Sequence, residues 1–81
     1  MEINFSRHAE RRMRLYKIDE LDVRNAIESA IMHKGLAEGK SQTVNYELRK
    51  KYRYPLKVVF VVQNDNIMVI TAYPLKKERA Q

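Results

Sequence analysis

The chain is 81 residues long, with 16 lysines and arginines against 10 carboxylates, a net charge of +6 and no cysteine. A chain of this length buries only about 60% of the surface it exposes when unfolded, which leaves one thin core and no material for a second domain. The lack of cysteine excludes disulfides, iron–sulfur clusters and thiolate zinc sites. The longest apolar run, Val58 to Val62, is five residues, against roughly 20 for a membrane span.

The first residues carry no basic stretch leading into an apolar one, so no signal peptide is expected and the composition suits a reducing cytoplasm. Glycine and proline number two each, which reads as a folded chain rather than a disordered one. The charge is uneven. Residues 1–40 hold eight cations against seven carboxylates, and residues 41–81 hold eight against three. With a pI near 9.8, the expected partners are polyanions: RNA, DNA, ribosome or an acidic protein.

In chain order, Ile3-Asn4-Phe5 reads as a short first strand and Ser6 as a helix N-cap. Phe5, Ala9, Met13 and Tyr16 form one apolar stripe at helical spacing, so a first helix runs from about Ser6 to Tyr16. His8 and Arg12, four apart, share a shoulder of that stripe. Asp19 is the N-cap of a second helix, with Asp22 three residues on in an imperfect capping box and Ile18 and Val23 as a hydrophobic staple. Its core stripe is Val23, Ala26, Ile27, Ala30 and Ile31, and Gly35 stops it. The short link Lys17-Ile18 makes the pair a helical hairpin.

Residues 35–41 read as loop, after which the period changes to two. Val44, Tyr46 and Leu48 alternate with polar residues as the buried side of a strand. Arg49 to Tyr54 reads as a basic loop, Pro55 to Gln63 as a second strand, Asn64-Asp65-Asn66 as a hairpin turn, and Ile67 to Tyr73 as a third strand ended by Pro74. Strict alternation then puts Leu56, Val58, Phe60, Val62, Ile67, Val69, Thr71 and Tyr73 on one face, and Lys57, Val59, Val61, Met68, Ile70 and Ala72 on the other. Two helices cover one such face well. The other invites a partner, including a second copy of the chain. The fold class is therefore α+β: a short strand, a helical hairpin, then a three-stranded antiparallel sheet.

The stretch His8-Ala9-Glu10-Arg11-Arg12-Met13-Arg14, followed by Ile18 and Asp22-Val23, resembles the opening signature of the DUF4258 family. Ile67 to Tyr73, a hydrophobic run ending Thr-x-Tyr, resembles its closing strand. The likeness spans about Phe5 to Pro74. Where the family often carries an arginine and a glycine ahead of the isoleucine, this chain has Tyr16 and Lys17. The order β-α-α-β-β-β is also similar to RelE-type toxins and the wider barnase, EndoU and colicin-like ribonuclease grouping. That resemblance implies a metal-independent endoribonuclease of a toxin–antitoxin system, acting on RNA or the ribosome without a cofactor and held by an acidic antitoxin-like partner.

Cleaving RNA without a metal needs a base near the 2′-hydroxyl, a cation on the phosphate and a proton for the departing oxygen. Histidine and arginine suit the first two tasks at neutral pH. His8 and Arg12 are the expected catalytic pair, with Thr71 and Tyr73, two apart on the last strand, lining the pocket. Lys57 falls on the opposite face by the same parity. Arg49, Lys50, Lys51, Tyr52, Arg53 and Tyr54 interleave cations with aromatics and are the expected RNA-gripping segment. Residues 75–81 form a basic tail. His33 reads as a complement to the second helix's dipole. Two widely spaced histidines without cysteine make no zinc motif, and no glycine-rich phosphate loop is present. Two rivals stand beside the enzyme: a catalytically idle RNA- or protein-binding module of the same fold, and a domain that dimerises through the uncovered sheet face.

Overall fold

A computed structural model describes residues 2–76. Strand β1 (Ile3–Phe5) leads into helix α1 (Arg7–Tyr16) and helix α2 (Glu20–Lys34). Strand β2 (Gly39–Asn45), a single helical turn α3 (Arg49–Tyr52), strand β3 (Leu56–Gln63) and strand β4 (Asn66–Pro74) follow. The expected α+β order is present. The short first strand belongs to the same sheet as the others, which is mixed and four-stranded in the order β1-β4-β3-β2, with β1 parallel to β4 and the remaining pairs antiparallel.

Local chemistry explains the boundaries. Ser6 caps α1 by accepting from the Ala9 backbone N–H at 3.0 Å. Lys17 ends the helix in the left-handed region at φ 56°, a conformation that favours glycine because a Cβ crowds the carbonyl there. Asp19 caps α2 by accepting from Leu21 N–H at 2.9 Å, and Gly35, at φ 85°, closes its far end. Asn64 and Asp65, both at positive φ and flanked by the pair Gln63 and Asn66, form a two-residue hairpin turn of the primed type, whose twist matches that of the strands.

One face of the sheet carries the core. α1 lies against β4, and α2 against β2 and β3. Ala9, Met13, Val23, Ala26 and Ile27 meet Leu56, Val58, Phe60, Val62, Ile67 and Val69, with Phe5, Tyr16 and Ile31 partly buried at the margin. Both predicted helical stripes are therefore the ones that face the sheet.

The last strand departs from expectation. β3 and β4 pair from Gln63 with Asn66 to Phe60 with Val69, then resume from Val59 with Thr71 to Leu56 with Pro74, so Ile70 is an extra residue on β4. A bulge shifts every later side chain to the other face. Ala72 and Pro74 are consequently buried, whereas Thr71 and Tyr73 stand opposite Val59 and Lys57 on the face away from the helices. The expectation that Thr71 and Tyr73 share the face of Ile67, and that Lys57 and Ala72 lie across from them, is reversed. The cause is visible in the junction between β1 and α1. Ser6 donates its backbone N–H to Val69 O and its hydroxyl to Ile70 O, both at 3.0 Å. The chain leaves β1 and enters α1 at the point where β4 is bulged.

β2 also differs. It starts at Gly39 and ends at Asn45, earlier than the expected run through Leu48, because the Asn45 side chain accepts from Glu47 N–H at 3.0 Å and turns the backbone. Ser41 and Thr43 pair with the core-facing Phe60 and Val58, whereas Val44 pairs with Lys57 on the open face. Tyr46 is exposed, and only Leu48 of the expected buried trio reaches the core margin.

Candidate functional site

α1 and its C-cap together carry a strong excess of positive charge. Arg7, Arg11, Arg12, Arg14 and Lys17 stand against one carboxylate, Glu10. All five cations and His8 are exposed, and among the described residues none of the five forms an ion pair. Counting charge by halves of the chain hides this, because the start of α2 is acidic at Asp19, Glu20 and Asp22 and cancels it. Counting by predicted element exposes it. The helix is also well anchored: Ser6 ties its first turn to the bulge of β4, Ala9 is fully buried, and its last turn sits beside the end of β4, where the Lys76 ammonium lies 5.4 Å from the Tyr16 ring centre.

His8 and Arg12 lie on one line of α1, as the spacing requires. The Arg12 guanidinium points onward along the helix, donating to the Tyr16 hydroxyl at 3.4 Å. Thr71 and Tyr73 form a second group with Lys57 on the open sheet face, and no hydrogen bond joins that group to His8 or Arg12. Of the expected pocket, the structure thus pairs His8 with Arg12 and Thr71 with Tyr73, adds Lys57 to the latter, and places Tyr16 between Arg12 and Lys76. The helical stripe assigned Tyr16 to the core; its ring is only half-buried.

The segment 49–54 is not an open loop. Residues 49–52 form a helical turn, and Arg53 follows in the left-handed region at φ 76°. Tyr52 donates its hydroxyl to Asp22 Oδ2 at 2.5 Å and accepts from Asp19 N–H at 2.9 Å. Lys51 donates to the same Asp22 oxygen at 2.8 Å and lies 3.6 Å from Asp19. Asp22 therefore serves as the dock for this turn rather than as the second half of a capping box. Lys51 and Tyr52 are committed to α2, while Arg49, Lys50 and Arg53 remain exposed and Tyr54 is half-buried.

The clamp fixes three ionisations. Hydrogen bonds from Lys51 and then Tyr52 hold the Asp22 carboxyl below its ordinary range, the same Asp22 bond raises the Lys51 ammonium, and burial followed by the Asp22 bond raises the Tyr52 phenol. A carboxyl lowered by folding contributes stability above its unfolded pKa and loses it as pH falls through the folded value. Tyr52→Phe should thus lower stability by about 1–2 kcal/mol at pH 7, the range for a partly exposed hydrogen bond to a charged group. Asp22→Asn should be destabilising at pH 7, with a difference from wild type that starts to shrink below about pH 4, where the unfolded state protonates, and closes only as pH falls through the lower folded value. Urea denaturation at pH 7 and pH 3 checks both; a Tyr52→Phe midpoint equal to wild type would sink the clamp.

A separate groove of about 470 Å³ runs between α2 and β2, lined by Ser29, Ala30, His33, Lys34, Gln42, Thr43, Val44 and Tyr46. One ring nitrogen of its His33 is already bound to Ser29 O at 2.8 Å. Among the described residues no group of three or more histidine, cysteine or carboxylate side chains is placed to hold a metal ion, and no helix is long and apolar enough to cross a membrane. The basic tail beyond Lys76 lies outside the described residues.

No curated protein and no solved structure matches the chain. A family model does, that of a domain of unknown function, over residues 5–74. Those residues include α1 with His8 and Arg12, the bulged last strand and the clamp between α2 and α3, and with that coverage the chain belongs to the DUF4258 family.

Proposed function

We propose that the domain acts on RNA as a RelE-like, toxin-type endoribonuclease that needs no metal, with α1 as its working surface. The observation that carries this reading is the exposed row of cations on α1, unpaired within the described residues and next to an exposed histidine. In this reading the His8 imidazole takes the proton of a 2′-hydroxyl. The freed oxygen attacks the adjacent phosphorus, the bond to the 5′-oxygen breaks, and water returns a proton to that leaving oxygen. The products are a 2′,3′-cyclic phosphate and a 5′-hydroxyl. Arg12 neutralises the phosphate during the attack. Lys57, Thr71 and Tyr73 on the open face, with Arg49, Lys50 and Arg53, give the RNA strand further contacts. An acidic antitoxin-like protein would complement the same surface.

The test is cleavage of an end-labelled single-stranded RNA in the presence of EDTA. Wild type should give cyclic-phosphate ends. His8→Ala should slow cleavage by about 10²–10⁴, the usual contribution of one positioned acid–base group, and Arg12→Ala should slow it comparably. Cleavage unchanged in both variants would overturn the site.

One observation favours a second reading, a binding module that does not cleave. No hydrogen bond orients the His8 ring among the described residues, whereas a working imidazole is commonly held by a partner. Salt-sensitive RNA binding by wild type, with intact substrate after prolonged incubation, would select it.

A further inference from the structure

The far end of α1, beyond His8, holds a second cluster. Arg12, Tyr16 and Lys76 meet there from two elements. The Tyr16 oxygen accepts from Arg12 Nη1 at 3.4 Å. Its own hydrogen has no acceptor among the described residues, and the Lys76 ammonium stands 5.4 Å from the centre of its ring. The cluster therefore offers a guanidinium, a phenolic O–H and an ammonium, with the phenol oxygen as its single acceptor. Neither Arg12 nor Lys76 is ion-paired within the described residues.

A helix C-terminus by itself disfavours an anion. Here two of the last four carbonyls are already occupied: Met13 O accepts from Ile18 N–H at 2.8 Å and Arg14 O from Lys17 N–H at 3.3 Å. Lys76 arrives from the end of β4, so the local field is set by cations converging from separate parts of the chain. Donors of this kind, with a bidentate-capable arginine among them, match the oxygens of a phosphate.

We propose that Arg12, Tyr16 and Lys76 form a phosphate-binding subsite, about 12 Å along α1 from His8 at the helical rise of about 1.5 Å per residue. It rests on the RNA-directed reading and deepens it. The scissile linkage would sit at His8, and a phosphate further along the same strand would be held at Tyr16, so that Arg12 lies between the two. The held group is either an internal phosphodiester or a terminal phosphate, which share this chemistry.

The experiment measures binding of a fluorescent single-stranded oligoribonucleotide with 2′-O-methyl sugars, which cannot be cleaved, made with and without a 5′-phosphate. Tyr16→Phe keeps the ring and removes the donor, and should weaken binding about fivefold with an unchanged thermal midpoint. Lys76→Gln should weaken it similarly and reduce the magnitude of the salt slope by about 0.7. Lys34→Gln, at the end of α2, should leave affinity within about twofold. Losses seen only with the 5′-phosphorylated probe assign a terminal phosphate, and losses with both probes assign an internal one. Wild-type binding that neither Tyr16→Phe nor Lys76→Gln alters overturns the subsite and leaves the RNA reading standing. Failure of wild type to bind either probe removes both.

Discussion

Deleting Ile70 alone should lower the thermal midpoint of the domain by roughly 5–15 °C, although every core side chain would keep its present face. Ile70 is the extra residue that separates the two registers of β4. Without it, strict alternation runs unbroken from Val69 into Thr71, so Thr71 and Tyr73 stay on the open face and Ala72 and Pro74 stay in the core. What changes is the bend and added twist that the bulge gives β4 where β1 passes into α1. The anchor between the Ser6 hydroxyl and Ile70 O, which joins α1 to the sheet, would be lost in the same step. The lost cap anchor and the displaced junction together amount to about 1–2 kcal/mol. A domain of this length has roughly 4–12 kcal/mol in all. The check is circular dichroism and calorimetry against wild type and Ile70→Ala, which keeps the register and should remain folded. A folded deletion variant with an undiminished midpoint would show that the bulge is incidental.

Replacing Arg7, Arg11 and Arg14 together by glutamine should weaken RNA binding by about 10–100-fold at low salt. Removing three phosphate contacts should also reduce the magnitude of the salt slope by about 2, at roughly 0.7 per contact for a single strand. These three residues follow one another at i, i+4 and i+7 beside the row of His8, Arg12 and Tyr16, so the substitution tests the field of the helix without touching the proposed proton-transfer group. Stability moves the other way. Like charges three and four apart on a helix repel, so the triple variant should melt at or slightly above the wild-type temperature. Lost binding with retained stability is thus the expected pairing. Unchanged binding at all salt concentrations would mean that the charge of α1 serves solubility alone.

The two helices were legible because each has a cap and a stripe that agree: Ser6 with Ala9 and Met13, Asp19 with Val23, Ala26 and Ile27. The hairpin turn at Asn64-Asp65 was legible for the same reason, since few residues tolerate positive φ in succession. The faces of β4 were not. A period-two pattern carries no mark of an inserted residue, and Thr71-Ala72-Tyr73 reads equally well in either phase. The bulge is set by a long-range contact from Ser6, which no local window contains. The turn at 49–52 failed for a related reason: its shape depends on Asp19 and Asp22, about thirty residues earlier. His8 and Arg12 could be paired from spacing alone, because one helix holds both. Lys76 could not be joined to them, because its neighbour Tyr16 belongs to an element at the other end of the chain.

The parallel pairing of β1 with β4 has a consequence for how the domain comes into being. Among the described residues β1 finds its only sheet neighbour in β4, which is made after the other strands, and α1 rests on that same late strand. Contacts between such distant parts of a chain are slow to close. During vectorial synthesis α1 therefore leaves the ribosome with its apolar stripe bare and its arginines already displayed, and the native surface is assembled only after Pro74 has emerged.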